Sequence, residues 1–160
     1  NIITNRKLTW QTLSQYKKKG LIRYIGVSNF LPKHLDTLID LPLNENDPKG
    51  EKCPLPYLNQ IELHPYNYKA QVDSIDYCNK RNIIIQSYAS LELLLLWCLK
   101  GHNFYIIPKT CNFNRLKSNI DILTININDD LINLFKRIDN YVLTNDFVVS
   151  KFCWAPINVI

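Results

Sequence analysis

Four short apolar runs, each separated from the next by a stretch of helical spacing, constrain this chain more than any other feature. The runs are Ile22 to Val27, Leu58 to Leu63, Ile83 to Tyr88 and Phe104 to Ile107. They are read as strands with apolar side chains on both faces. Trp10, Leu13 and Tyr16-Lys17 recur at helical spacing, with Thr9 placed to cap the start and Gly20 to close the end. Pro32 suits a first helical turn, and Leu35, Leu38 and Ile39 form an apolar stripe behind it. Further helices are expected over Ala70 to Cys78, ending near Arg81-Asn82, over Leu91 to Lys100 with Gly101 as C-cap, and over Arg115 to Ile120. Asn128 caps a last helix bearing Leu131, Leu134, Phe135 and Ile138, and the tail from Tyr141 to Ile160 has no clear period. Residues 42–56 are polar and proline-punctuated, the pattern of a surface insertion. Alternating helices and doubly apolar strands predict an α/β fold, parallel strands with helices outside. Periodicity alone leaves an open sheet and a closed barrel equally open.

The bulk properties narrow the function classes. At 160 residues, residues 1–160 are expected to form a single domain, and 46% hydrophobic with 21% charged residues is the composition of a soluble globular protein. The net charge of +5 is scattered, and the one basic run, Lys17 to Lys19, falls at a helix end, where cations complement the macrodipole. No patch interleaves basic and aromatic residues, so no nucleic-acid partner is expected. The longest apolar run, Leu93 to Leu99, is too short to span a bilayer, so no membrane partner is expected either. Cys53, Cys78, Cys98, Cys111 and Cys153 are odd in number and show no CxxC spacing, which points to reduced thiols, no metal site and a cytoplasmic location. The chain contains no Met, and the expectation is that it begins inside a longer reading frame.

Several residues stand where chemistry collects in parallel folds. Ser28 and Asn29 end a strand, and Gln60 lies inside one, where a buried amide needs a partner. Tyr88 ends the third strand, and Lys109, Thr110 and Arg115 set two cations and a hydroxyl around one loop, a set suited to a phosphate. Taken singly, most have plain readings. Ser28-Asn29 is a turn with an N-cap, Tyr88 a core residue, and Lys109 and Arg115 a solvated surface. Gln60 is the exception, because an amide in an apolar strand is costly unless used.

Three segments, taken in order, carry a resemblance. Gly20-Leu-Ile-Arg-Tyr-Ile-Gly-Val-Ser-Asn-Phe30 resembles the fifth strand of aldo-keto reductases, and Asn59-Gln-Ile-Glu-Leu-His-Pro-Tyr66 resembles their sixth. Ile107-Pro-Lys-Thr110, followed by Arg115 and Asn119, is similar to the strand-eight loop and the short helix after it. The resemblance covers about residues 9 to 140. It implies strands five to eight of a (β/α)8 TIM barrel, and NAD(P)H-dependent reduction of carbonyls to alcohols for a complete member. It further implies that Ser28, Asn29 and Gln60 hold the nicotinamide carboxamide and that Tyr88 stacks on the ring. Lys109, Thr110 and Arg115 would then grip the 2′-phosphate of NADP, with Asn119 on adenine.

The family's catalytic Asp, Tyr, Lys and His come from its first four strands, so no catalytic residue is assigned here. His64 belongs to the His-Pro-Tyr motif and is read as structural, and His34 and His102 as surface or helix-end residues. Three departures follow from the resemblance: a loop after Tyr88 cut short, Ser118 in place of a glutamate beside adenine, and Asn82 in place of a helix-ending glycine. The expected partners are a small carbonyl substrate, once a missing half is supplied, and further copies of the chain through exposed barrel edges. The alternative is a catalytically inactive, decayed fragment or a non-enzymatic interaction protein.

Overall fold

The computed structural model of the chain describes residues 2–88 and 95–145. Four parallel strands form one sheet: β1 (Val27–Ser28), β2 (Leu58–Glu62), β3 (Ile84–Tyr88) and β4 (Tyr105–Ile106), in that order across it. Parallel neighbours need crossovers, and the helices supply them. Helix α2 (Pro32–Asp36) follows β1, α3 (Pro65–Asn79) joins β2 to β3, and a π-helical turn (Trp97–Gly101) precedes β4. Helix α1 (Ile2–Lys18) leads the chain, and α4 (Phe113–Asp121) and α5 (Asp129–Thr144) follow the sheet. Among the described residues no helix is long and apolar enough to cross a membrane.

Burial alternates along the central strands and so separates the two faces of the sheet. Asn59, Ile61, Ile85 and Ser87 are buried, and the two isoleucines join Leu63, Ile75, Cys78, Trp97 and Phe135 in the main core. The intervening Leu58, Gln60, Ile84, Gln86 and Tyr88 are half-buried on the opposite, more open face. Helix α5 is tied to this core by Asp139, whose Oδ1 accepts from the Trp97 indole at 2.9 Å and lies 3.0 Å from His102 Nε2. A second cluster of Trp10, Ile25, Leu38, Leu41, Leu43 and Cys53 fixes α1 to the segment after α2. There the Trp10 indole donates to the Pro54 carbonyl at 3.0 Å, and Gln11 Nε2 donates to that of Pro42 at 2.8 Å. Residues 44–49 are exposed, while Leu43 and Cys53 anchor the stems of that stretch.

Several element boundaries differ from the sequence expectation, each for a physical reason. The first strand, expected over Ile22 to Val27, is reduced to Val27–Ser28. Its partner cannot extend upstream, because Pro54 and Pro56 have no N–H to donate, and Tyr57 N–H to the Ile25 carbonyl (2.8 Å) is the last rung. The fourth strand is likewise only Tyr105–Ile106, stopped by Pro108. Helix α1 begins at Ile2 and not after Thr9, since nothing from Ile3 to Leu8 is a Gly or Pro that would break it. Helix α3 begins at Pro65, earlier than Ala70, because Pro at the first turn is preset for the helix and Asn67 Oδ1 accepts the His64 N–H at 2.9 Å.

Gly20 closes α1 at φ +74° as expected, with the Leu21 N–H reaching the Tyr16 carbonyl at 3.1 Å and Gly20 N–H that of Lys17 at 2.9 Å. Asn82 closes α3 by the same pair of bonds at φ +57°, a conformation asparagine tolerates. Gly101, in contrast, is no C-cap. It ends the π-helical turn, and a Cβ there would stand 3.2 Å from the Phe135 ring, while the positive φ falls on Asn103. Helix α4 starts at Phe113 because the Asn112 side chain caps it, and α5 runs on through Tyr141 to Thr144, into the stretch where no period is visible. Residues 91–94 of the expected Leu91 to Lys100 helix, Cys153 and the tail from residue 146 lie outside the described residues.

Candidate functional site

Four of the eight singled-out residues converge on β1, β2 and β3, with Ser28 and Tyr88 at strand C-termini, Asn29 just past β1 and Gln60 midway along β2. Ser28 lies opposite Gln60, and Gln60 opposite Gln86, so their side chains share the open face of the sheet. Just past β1, Asn29 adopts φ +57°, which turns the chain, and its N–H donates to the Gln60 carbonyl at 2.8 Å. Ser28 Oγ donates to that same carbonyl at 3.2 Å. Two residues beyond Gln86 on the same face, Tyr88 donates its hydroxyl to Asn29 Oδ1 at 3.2 Å. Ser28, Asn29, Gln60 and Tyr88 are therefore joined by hydrogen bonds to one another.

Two residues that the sequence reading did not single out hold this group. Asn59 is fully buried, donates Nδ2 to the Phe30 carbonyl at 2.8 Å and accepts the Phe30 N–H at 3.3 Å. It clips the turn after Asn29 to β2. Gln86 Oε1 accepts from Gln60 Nε2 at 2.8 Å. A signal for Gln86 was available, since the argument applied to Gln60, a polar amide in an apolar strand, applies to it equally. At the end of β2, Glu62 is buried with its side chain 3.3 Å from His64 Nε2, and its carbonyl accepts from Asn67 Nδ2 at 3.0 Å. His64 thus sits at the N-cap of α3, paired with Glu62.

The other four residues lie in a separate stretch after β4. Lys109 and Arg115 are exposed, and Thr110 and Asn119 half-buried. Thr110 Oγ1 accepts the Asn112 N–H at 3.1 Å, which leaves its own hydroxyl proton to donate. Asn112 Oδ1 in turn accepts from the N–H groups of Asn114 (2.9 Å) and Arg115 (3.2 Å). Two of the amides that a helix start offers to an anion are thereby taken, so an anion here would depend on the side chains of Lys109, Thr110 and Arg115. Elsewhere, burial pushes the Cys78 thiol up, with Asn59 opposing, and keeps it an unreactive core group. A cavity of about 410 Å³ between α1 and β1, lined by Trp10, Leu13, Val27, Phe30 and Leu38 with Arg6 at its polar side, touches none of the eight residues.

The family model for the aldo/keto reductase family matches residues 3–96. The chain belongs to that family. An uncharacterized oxidoreductase of Schizosaccharomyces pombe is 29% identical, over 83% of this chain and 53% of its own length. The glycerol 2-dehydrogenase (NADP(+)) of Saccharomyces cerevisiae is 26% identical, over 82% of this chain and 45% of its own. Among solved structures, that of Gox0644 without ligand superposes with a TM-score of 0.68 at 27% identity, covering 84% of this chain and 53% of that one. A mutant of the same protein in complex with NADPH superposes at 0.64. This aldo/keto reductase chain spans about half the length of the curated relatives it matches, and its four parallel strands are a partial (β/α)8 barrel.

Proposed function

We propose that the chain forms the cofactor-holding part of an NAD(P)H-dependent oxidoreductase that reduces carbonyls to alcohols, with NADP as its dinucleotide. The observation that carries this reading is the hydrogen-bonded convergence of Ser28, Asn29, Gln60 and Tyr88 across three adjacent strands, two of them contributing their C-terminal residues, where ligands of parallel barrels sit. Ser28, Asn29 and Gln60 hold the carboxamide of the nicotinamide, and the Tyr88 ring lies against the pyridine. Lys109, Thr110 and Arg115 grip the 2′-phosphate through side chains, and Asn119 contacts adenine. The donor set fits the group: amides and a hydroxyl at one end, two exposed cations at the other. The glycerol 2-dehydrogenase relative and the NADPH-bound neighbour support the choice of dinucleotide.

When bound, the cofactor supplies the hydride. This chain's residues bind and orient it, and the proton that the product alcohol needs comes from outside the groups named here. His64 is unsuited to give it, since it is buried and its Nε2 faces the Glu62 carboxylate at 3.3 Å. The short outer edges of β1 and β4 are where such a partial barrel meets its complement or a second copy. The test is a titration of the full chain with NADPH and NADH, read by quenching of the Trp fluorescence. NADPH is expected to bind at least about tenfold more tightly, the worth of one charge-assisted hydrogen bond. Equal affinities would remove the 2′-phosphate grip, and no binding of either would remove the reading.

A further inference from the structure

Gln60 and Gln86 stand opposite each other on β2 and β3, both half-buried on the open face, and Gln60 Nε2 donates to Gln86 Oε1 at 2.8 Å. From that bond, and resting on the reading of Gln60 as a carboxamide partner, we infer that Gln86 is a positioning residue that makes the site select a neutral carboxamide over a carboxylate. A primary amide has N–H donors at one end and a carbonyl acceptor at the other, in nearly the same shape. A lone glutamine can therefore turn to suit either ligand group. Two glutamines bonded to each other cannot. Whichever of them donates, one carbonyl is left outside the bond and cannot be turned away unless the pair breaks.

Here that carbonyl is Gln60 Oε1, with the second N–H of the same Gln60 amide beside it. A carboxamide meets both with its own NH₂ and carbonyl. A carboxylate, which only accepts, meets one donor and one opposing carbonyl oxygen. The bond also holds the Gln60 side chain in place before a ligand arrives, which spares the ordering of a long, flexible group on binding.

The experiment titrates the full chain, wild type and Gln86→Met, with three probes: NADP+, its analogue with nicotinic acid in place of nicotinamide, and 2′,5′-ADP, which has no pyridine. The methionine keeps the length of the side chain and removes its amide. The substitution is expected to weaken NADP+ roughly three- to tenfold. The nicotinic acid analogue should hold its affinity or gain, because Gln60 becomes free to turn its N–H groups toward it, and 2′,5′-ADP should be unchanged. The extra negative charge of the acid acts on both proteins alike, so the change in the amide-to-acid ratio isolates Gln86.

An unchanged ratio with 2′,5′-ADP binding intact would overturn the role of Gln86 and leave the cofactor reading standing. A wild-type chain that binds none of the probes would overturn both. Should Gln86→Met lose its cooperative melt, Gln86→Asn withdraws the amide by one methylene and gives the same comparison. A reduced amide-to-acid ratio in that variant supports the inference, and a retained ratio refutes it.

Discussion

At the strand ends, Ser28, Asn29, Gln60 and Tyr88 are held by one another and by the buried clip of Asn59, whereas Lys109 and Arg115 are exposed before and within the first turn of α4, where Thr110 and Asn112 order the backbone beneath them. Helix α4 buries none of its side chains. The strand-end region is built before any ligand arrives and is suited to fixing the orientation of a ring. On the proposed reading, the region after β4 attracts charge through the exposed side chains of Lys109 and Arg115. One cofactor site would then divide geometry and electrostatics between two places that differ in how many internal hydrogen bonds hold them. Salt separates the two, since it screens exposed charges, while the neutral amides and hydroxyls of the strand-end region carry no charge to screen.

The largest expected effect bears on what neither region supplies. On the proposed reading both regions bind cofactor and neither is assigned an acid–base role, so the chain by itself should oxidise NADPH with a reactive aromatic aldehyde no faster than buffer does. Protein-dependent turnover in an absorbance assay would show that the strand-end region does more than orient.

Next comes Asn59→Ala, which strands the N–H and carbonyl of Phe30 and opens a small void. It should cost about 2–4 kcal/mol in denaturant unfolding and degrade cofactor binding with it. A neutral result would mean that the strand-end region is not held by its clip. Arg115→Ala should do the reverse. It should leave stability within about 0.5 kcal/mol and weaken NADPH by about one to two powers of ten, with NADH nearly unaffected. Equal losses for both cofactors would erase the contrast between the regions.

The smallest effect concerns the helices behind the strand ends. The Tyr77 hydroxyl donates to the Asp36 carboxylate and so ties α3 to α2. Burial first, and this bond second, push its phenol up to about 12 from an ordinary 10.0. A folded-state value above the unfolded one means that the contribution is complete below pH 10 and is lost as the pH rises from 10 toward 12. Tyr77→Phe should remove that part of the alkaline decline in melting temperature. An identical decline in both proteins would place its origin elsewhere.

The parallel α/β architecture was legible because period, cap residues and prolines act locally: Gly20, Pro32 and Asn128 each stand where the sequence puts them. Strand length was not legible in the same way. Whether Ile22 to Gly26 forms a ladder depends on prolines some thirty residues away, in the partner that would have to donate. Of the candidate site, the residues assigned to a ligand came from the resemblance, and those that hold them were missed. Asn59 looks from sequence like one more polar residue beside Gln60, and its clip to Phe30 exists only once β1 and β2 are paired. Asn112 was missed because the expected helix began at Arg115, although Phe113, Leu116 and Ile120 already stand at helical spacing behind Asn112.

That clip has a consequence for how the site comes into being. Asn59 and Phe30 are 29 positions apart in sequence, so the turn at Asn29, with its left-handed backbone, has no local partner that would form it early. It can only be completed when β2 docks, which makes assembly of the strand-end region and pairing of the sheet edge a single event in folding. The same coupling runs backward. Any fluctuation that lifts β1 from β2 dismantles the turn at once, and the Asn29 amide, bonded across the strands, should exchange its proton with water at the rate at which that edge opens.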